Sequence, residues 1–123
     1  MARTDLQNHA HLRGEMCSER VSVEEFMASS FGVCTLHGDE IAGWCLSEYN
    51  CGDRCEVGIE TTEAHQRRGL ATAMTLALCT TAFAQGMTQV GWHCMAANAG
   101  SYATARRAGF AEVGRYRTHY VRI

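Results

Sequence analysis

One stretch constrains the fold more than any other: "CEVGIETTEAHQRRGLATAMTLALCTTAFAQG", residues 55–86. In its first part Val57, Ile59 and Thr61 alternate with Glu56, Gly58 and Glu60, the period of a half-buried strand. From Gly69 to Gln85 it is rich in Ala, Leu, Met and Thr, apolar nearly all round, which predicts a buried helix ended by Gly86 at C′. Such a helix needs a sheet to cover it, so a strand–loop–helix unit in an α/β layer is the frame for the rest. Gly58 inside the strand predicts a bulge or a close backbone approach.

The loop of this unit, "HQRRG", raises a chemical question. A helix start has backbone N–H groups without internal partners and carries partial positive charge. Gly69 lets the backbone approach closely, and Arg67 and Arg68 add donors suited to phosphate. These are the parts of an anion site. They are equally the parts of a solvated helix start, and the residues alone leave both readings open. The glycine spacing fits neither a Walker A loop nor a dinucleotide fingerprint.

The remaining elements follow from turn and cap chemistry. Proline is absent, so glycine punctuates the chain. Ser22 with Glu25 forms a capping box that predicts a short helix at about 22–29. "FGVCTLHGDEIAGWCLSEYN" reads as a hairpin turning at Gly38, and "NCGDR" is the next turn. "MTQVGWHCM" predicts a buried strand, "NAGSYATARRAGF" a helix capped by Asn98 and stopped by Gly109, and "AEVGRYRTHYVRI" a closing strand. The first twenty residues carry no assignable pattern. The expected order is helix, three strands, helix, strand, helix, strand.

Two sequence patterns in this order resemble the GNAT acyl-CoA N-acetyltransferase superfamily. Gln66, Gly69 and Ala71 match the Q-x-x-G-x-A pyrophosphate-binding motif. "WHCMAANAGSYATARRAGF" resembles the family's fifth strand and fourth helix, with Asn98, Ser101 and the Gly109–Phe110 pair at matching spacing. Residues 31–123 carry the resemblance, and the chain, 1–123, is expected to be a single domain. The implied fold is α/β (α+β): a mixed, mostly antiparallel central sheet with two splayed parallel strands, flanked by helices. The implied co-substrate is acetyl-CoA, with its pantetheine arm in the splay. By resemblance, backbone groups of Ile59 and Thr61 bond that arm, and Gln66, Arg67, Arg68, Gly69, Leu70, Ala71 and Thr72 surround the pyrophosphate. Asn98 and Ser101 stand on the opposite wall, where Asn98 is also a plain N-cap.

Acetyl transfer to an ammonium needs a proton acceptor, a polarised thioester carbonyl and a leaving thiolate. The resemblance implies a carboxylate or a water chain on the fourth strand as the base. Glu60 is preferred and Glu56 is second, the two forming one acidic pocket for a cationic amine. The family's usual tyrosine acid falls on Ala105 here. Tyr102, one helical turn after Asn98, is the substitute, with His93 and Cys94 as further options. The implied reaction is N-acetylation of a small primary amine by direct attack in a ternary complex. A non-catalytic CoA-binding or regulatory module is the alternative, and a structural α/β interaction domain the third reading. The family's first strand and helix are not recognisable before residue 22, so a homodimer is expected.

Composition bounds the rest. A net charge of −2 predicts no nucleic-acid or membrane partner, and no apolar run approaches the ~20 residues of a membrane span. The seven cysteines are odd in number and mostly lie in apolar runs, which suits reduced thiols in a cytoplasmic protein. Cys51 and Cys55, with His37 or Cys45, are the only zinc reading; no metal is expected.

Overall fold

A computed structural model describes residues 6–123. Strands β1 (Gly32–His37) and β2 (Glu40–Cys51) form the expected hairpin, turning at Gly38 with φ +60°. β3 (Arg54–Thr61) returns antiparallel to β2, with Trp44 opposite Glu60 and Glu48 opposite Glu56. β4 (Gln89–Gly91) lies parallel to β3, giving the sheet order β1-β2-β3-β4. The fold class is therefore the one the sequence implies, a mixed sheet flanked by helices.

The two faces of β2 sort its residues. Trp44 and Leu46 join Leu6, Phe26 and Ile41 under helices α1 (His9–Met16) and α2 (Val23–Ser29). Cys45, on the other face, packs with Met74 and Leu78 of helix α3 (Leu70–Ala84), and with Val33, Val57 and Ile59. The period-2 alternation of the strands thus feeds two separate apolar layers. The caps read from sequence hold. Ser22 Oγ accepts the Glu25 N–H (3.1 Å), Glu25 accepts the Val21 N–H (2.8 Å), and Gly86 and Gly109 both take positive φ. Helix α4 (Ala99–Arg107) starts on Asn98, whose Oδ1 accepts the Ser101 N–H at 3.0 Å.

Four expectations need correction. Residues 6–20 do carry structure, residues 1–5 lying outside the described ones: helix α1, anchored because Asn8 imitates a strand neighbour. Its side chain donates to the Ile41 carbonyl (2.9 Å) and accepts the Ile41 N–H (3.1 Å). Of a first strand only the single bridge Gln7–Glu40 is present among the described residues. Second, α3 is not buried all round. Leu78 is 0% exposed, while Leu76 is 49% and Phe83 55% exposed, because only one side meets the sheet. Third, the buried strand expected over 87–95 shrinks to Gln89–Gly91, half-buried, with 92–95 irregular. Fourth, "AEVGRYRTHYVRI" forms no strand. Val113, Tyr116, Tyr120, Val121 and Ile123 are exposed, since β propensity makes a strand only where an edge accepts one.

The one-sided packing of α3 makes a direct prediction. Leu78→Ala should lower unfolding free energy by about 2–5 kcal/mol, the usual range for a fully buried leucine. Leu76→Ala, on the side of the helix turned from the sheet, should change it by less than about 0.5 kcal/mol. Urea denaturation of both variants checks this.

Candidate active site

β3 and β4 pair only at Arg54–Gln89, Cys55–Val90 and Glu56–Gly91. β3 then runs on alone through residues 57–61, a gap of about 16 Å at ~3.3 Å per residue. The orientation of the peptide groups along that gap can be read from its end. Thr62 N–H donates to the Ala42 carbonyl in β2 (2.9 Å), and Gln66 Nε2 donates to the Thr61 carbonyl (3.1 Å). Even-numbered peptide groups therefore face β2, and those of Ile59 and Thr61 face the gap. The vertex is pinned from below. Thr88 and Gln89 donate their N–H groups to the Asp53 carbonyl, and the Thr88 hydroxyl donates to the Asp53 carboxylate.

At the far end of the gap stands the loop before α3. His65 is buried and within 3.4 Å of Glu40, which fixes the short 3₁₀ turn Glu63–His65 on the hairpin. Arg67 (φ +61°) and Gly69 (φ +77°) both take left-handed backbone. The first intrahelical bond is Ala73 N–H to Gly69 C=O, so the N–H groups from Arg67 to Thr72 have no partner among the described residues. Left-handed turns next to a helix start make such a row a concave donor nest for an anion. Neither arginine side chain has a partner among the described residues, and both are exposed.

The sequence-derived carboxylates lie on one face of β3 but do not share a pocket. Glu60 is four strand positions from Glu56, about 13 Å, and each has its own histidine. Glu60 lies 3.3 Å from His11 Nε2, whose ring stands 5.1 Å from that of buried Trp44. Glu56 Oε2 lies 2.7 Å from His93 Nδ1, and the His93 ring meets Tyr116 edge-on at 5.7 Å.

Around Glu56 the vertex opens into a cavity of about 450 Å³ lined by Glu48, Tyr49, Glu56, Val57, His93 and Tyr116. Two glycines make it possible. A Cβ at Gly58 would collide with the Glu48 carboxylate, and one at Gly91 with that of Glu56. Neither the bulge nor the close backbone approach expected at Gly58 is present; its open side is taken by the Glu48 side chain. Glu48 and Glu56 stand directly opposite on neighbouring strands, an arrangement that like charges disfavour. Burial pushes the Glu48 carboxyl up, with Glu19 and then Glu15 adding to it.

The other sequence-derived residues are placed as follows. Ser101 Oγ accepts the Trp92 indole N–H (3.0 Å), and Trp92 packs edge-on against Phe110 at 5.5 Å, tying α4 to the end of β4. Tyr102 is exposed, and after Arg115 it helps hold the Glu112 carboxyl below its ordinary value. Ala105 is buried. All seven cysteines are free; Cys55 is buried and Cys51 exposed, and the two share no group of metal-ligating side chains among the described residues. Sequence reasoning missed His11, Glu48, Tyr49 and Tyr116. The hairpin register could have revealed Glu48 opposite Glu56. Nothing local marks His11, because its helix lacks a side-chain cap.

The GNAT acetyltransferase family model matches residues 3–119. Among solved structures, the chain is similar to the aminoglycoside N-acetyltransferase AAC(6')-Iy in complex with CoA (TM-score 0.73, 18% identity, 100% of this chain and 97% of that one). It is similar to an aminoglycoside acetyltransferase from an uncultured soil metagenomic sample in complex with sisomicin (TM-score 0.67, 15% identity, 100% and 80%). It is also similar to a Bacillus subtilis acetyltransferase in complex with CoA (TM-score 0.62, 18% identity, 75% and 60%). No curated protein sequence matches it.

The clamp below the vertex has a pH signature. The Thr88 hydroxyl holds the Asp53 carboxyl below its ordinary value, with a backbone bond and Arg54 as smaller causes. A depressed carboxyl stabilises the fold above its unfolded value, near pH 4, and that contribution is lost as pH falls through the folded value. Thr88→Val should therefore be less stable than the parent at neutral pH, with the difference vanishing on acidification. Denaturant midpoints at several pH values measure it.

Proposed function

The chain belongs to the GNAT acetyltransferase family, and from that premise we propose an acetyl-CoA-dependent N-acetyltransferase whose acceptor is a small polycationic amine. The amine attacks the thioester directly, with both substrates bound. The observation that carries this is the cavity at the vertex, lined by Glu48 and Glu56, which are paired on neighbouring strands, with Tyr49 and Tyr116 as walls. A lining with two carboxylates and no cationic side chain suits a bound ammonium. An amino sugar with several ammonium groups suits such a lining. Two of the similar structures are aminoglycoside acetyltransferases.

The cofactor reading follows from the two ends of the gap. Pyrophosphate on the N–H row from Arg67 to Thr72 would satisfy donors that have no other partner. Its arm would then run back along β3, bonding the peptide groups of Ile59 and Thr61 as an added strand would. The gap is about as long as an extended pantetheine arm, so the thioester reaches the vertex. Glu56 stands there, and Glu60 lies nearer the phosphate loop. This moves the proton-accepting carboxylate from Glu60 to Glu56, and leaves Glu60 with His11 at the margin of the acidic face. Asn98 is engaged as the N-cap of α4; its second Oδ1 lone pair remains able to face the cofactor.

Two copies are proposed to associate. The outer edge of β4 has no strand beside it among the described residues, and the extended C-terminal segment exposes Val113, Tyr116, Tyr120 and Val121 close by in sequence to the site. Seven free thiols suit a reducing compartment, so the cytoplasm is the proposed location. No helix among the described residues is long and apolar enough to cross a membrane.

Three measurements test these proposals. Gly69→Asp places a carboxylate in the donor nest and should weaken CoA binding by at least tenfold, ~1.4 kcal/mol, by calorimetry. Gly69→Ala, which meets only open space, should weaken it less. Free-thiol release should appear with multiply charged amines and not with carboxylic acids. Tight CoA binding without thiol release from any amine would favour the regulatory module. Light scattering should give a dimer mass at micromolar concentration, and a monomer mass throughout a dilution series would exclude the assembly.

A further inference from the structure

We propose that His93 is the group that carries the proton from the acceptor ammonium to the departing thiolate, with Glu56 as its positioning carboxylate. The inference rests on the acetyltransferase reading above and goes beyond it, because it replaces a carboxylate base by an imidazole and supplies the acid that Ala105 cannot.

His93 follows the end of β4, and Glu56 is the last residue of β3 to pair with that strand. The contact between them, 2.7 Å from Nδ1 to Oε2, spans the vertex. An ionised carboxylate only accepts hydrogen bonds, so Nδ1 is the donor. In the neutral ring that leaves the proton on Nδ1 and the lone pair on Nε2. Tyr116 packs edge-on against the ring, so the imidazole is held by a bond at one nitrogen and a contact on its side. The arrangement has the logic of a carboxylate–histidine pair in acyl transfer: the carboxylate sets the tautomer and stabilises the imidazolium, and the free nitrogen does the proton transfer.

The steps balance. Nε2 takes one proton from the acceptor ammonium and His93 becomes an imidazolium beside the Glu56 carboxylate. The amine lone pair attacks the thioester carbonyl carbon, forming the C–N bond. The tetrahedral intermediate collapses, the C–S bond breaks, and its electron pair leaves on sulfur. Nε2–H gives its proton to that sulfur, and the ring returns to neutral. The remaining proton on the new amide nitrogen goes to solvent, which gives the one net proton of the reaction. The charged and titratable groups facing this pair are Glu48 and Tyr49 from β2, Glu56 from β3 and Tyr116 from the C-terminal segment, with Cys94 adjacent in the chain.

The test uses the full chain with an amine that turns over. His93→Gln and His93→Ala should bind CoA as the parent does, since the ring is 59% exposed and remote from the phosphate loop. Both should lose ~10²-fold or more in kcat, the range for lost acid–base catalysis, with the acid limb of the pH–rate profile absent. Added imidazole should restore part of the rate to His93→Ala and nothing to His93→Gln. Glu56→Gln should be slow as well, and the double variant Glu56→Gln/His93→Gln no slower than His93→Gln alone, because the two act as one unit. Parent-like kcat in both His93 variants, with Glu56→Gln slow, would overturn the role of His93 and leave the acetyltransferase reading standing. Independent, multiplying losses in the double variant would overturn it too. A parent enzyme that binds CoA but releases no thiol with any amine would overturn the acetyltransferase reading itself.

Discussion

The structure depends on a pairing that stops early. Three residue pairs join β4 to β3, ending at Glu56–Gly91, and β3 continues for five residues with one edge bare. A strand edge inside a sheet is normally filled, because unpaired peptide groups are costly when buried. Here the missing neighbour leaves a slot bounded by backbone donors and acceptors. The clamp of Asp53 on Thr88 and Gln89 holds the strands together below the slot. The link of Ser101 to Trp92 secures α4 just above it. The two strands are thus fixed where they meet and kept apart where they do not.

Charge is divided along the same strand. The end of β3 nearest α3 leads into unpaired N–H groups, Arg67 and Arg68, an environment for an anion. The vertex end carries Glu48 and Glu56, an environment for a cation. The distance between them is set by strand rise alone. In the proposed reading, a co-substrate with phosphate at one end and a reactive acyl group at the other would lie along that spacing. Gly58 and Gly91 contribute by absence: without side chains, they leave room for the carboxylates to lie across the sheet.

Helix α1 shows how a site can draw on a segment with no sequence signature. Its residues have no capping box and no strong apolar stripe, yet Asn8 fastens it to Ile41 and His11 reaches Glu60. Local propensity is weak there, and the tertiary contact with Trp44 and Leu6 decides the conformation. The C-terminal segment is the opposite case. It has the residue types of a strand, and no described edge pairs with it, so propensity is not realised.

The sequence by itself determined whatever is encoded within a few residues. Ser22 and Asn98 cap their helices, Gly38, Gly69, Gly86 and Gly109 take positive φ, and Val57 and Ile59 alternate into the α3 layer. These are short-range consequences of sterics and hydrogen bonding, which is why the strand–loop–helix unit and its free N–H row were legible from "CEVGIETTEAHQRRGLATA". Only the tertiary structure decided where β4 ends, which side of α3 is covered, and which histidine meets which carboxylate. Each depends on residues distant in sequence, 37 positions apart for Glu56 and His93 and 49 for Glu60 and His11. A period-2 pattern places Glu56 and Glu60 on one face, but it cannot say that the strand beside them has ended at the first and is absent at the second. That difference, set by the packing of β4 and α4, separates the vertex from the margin.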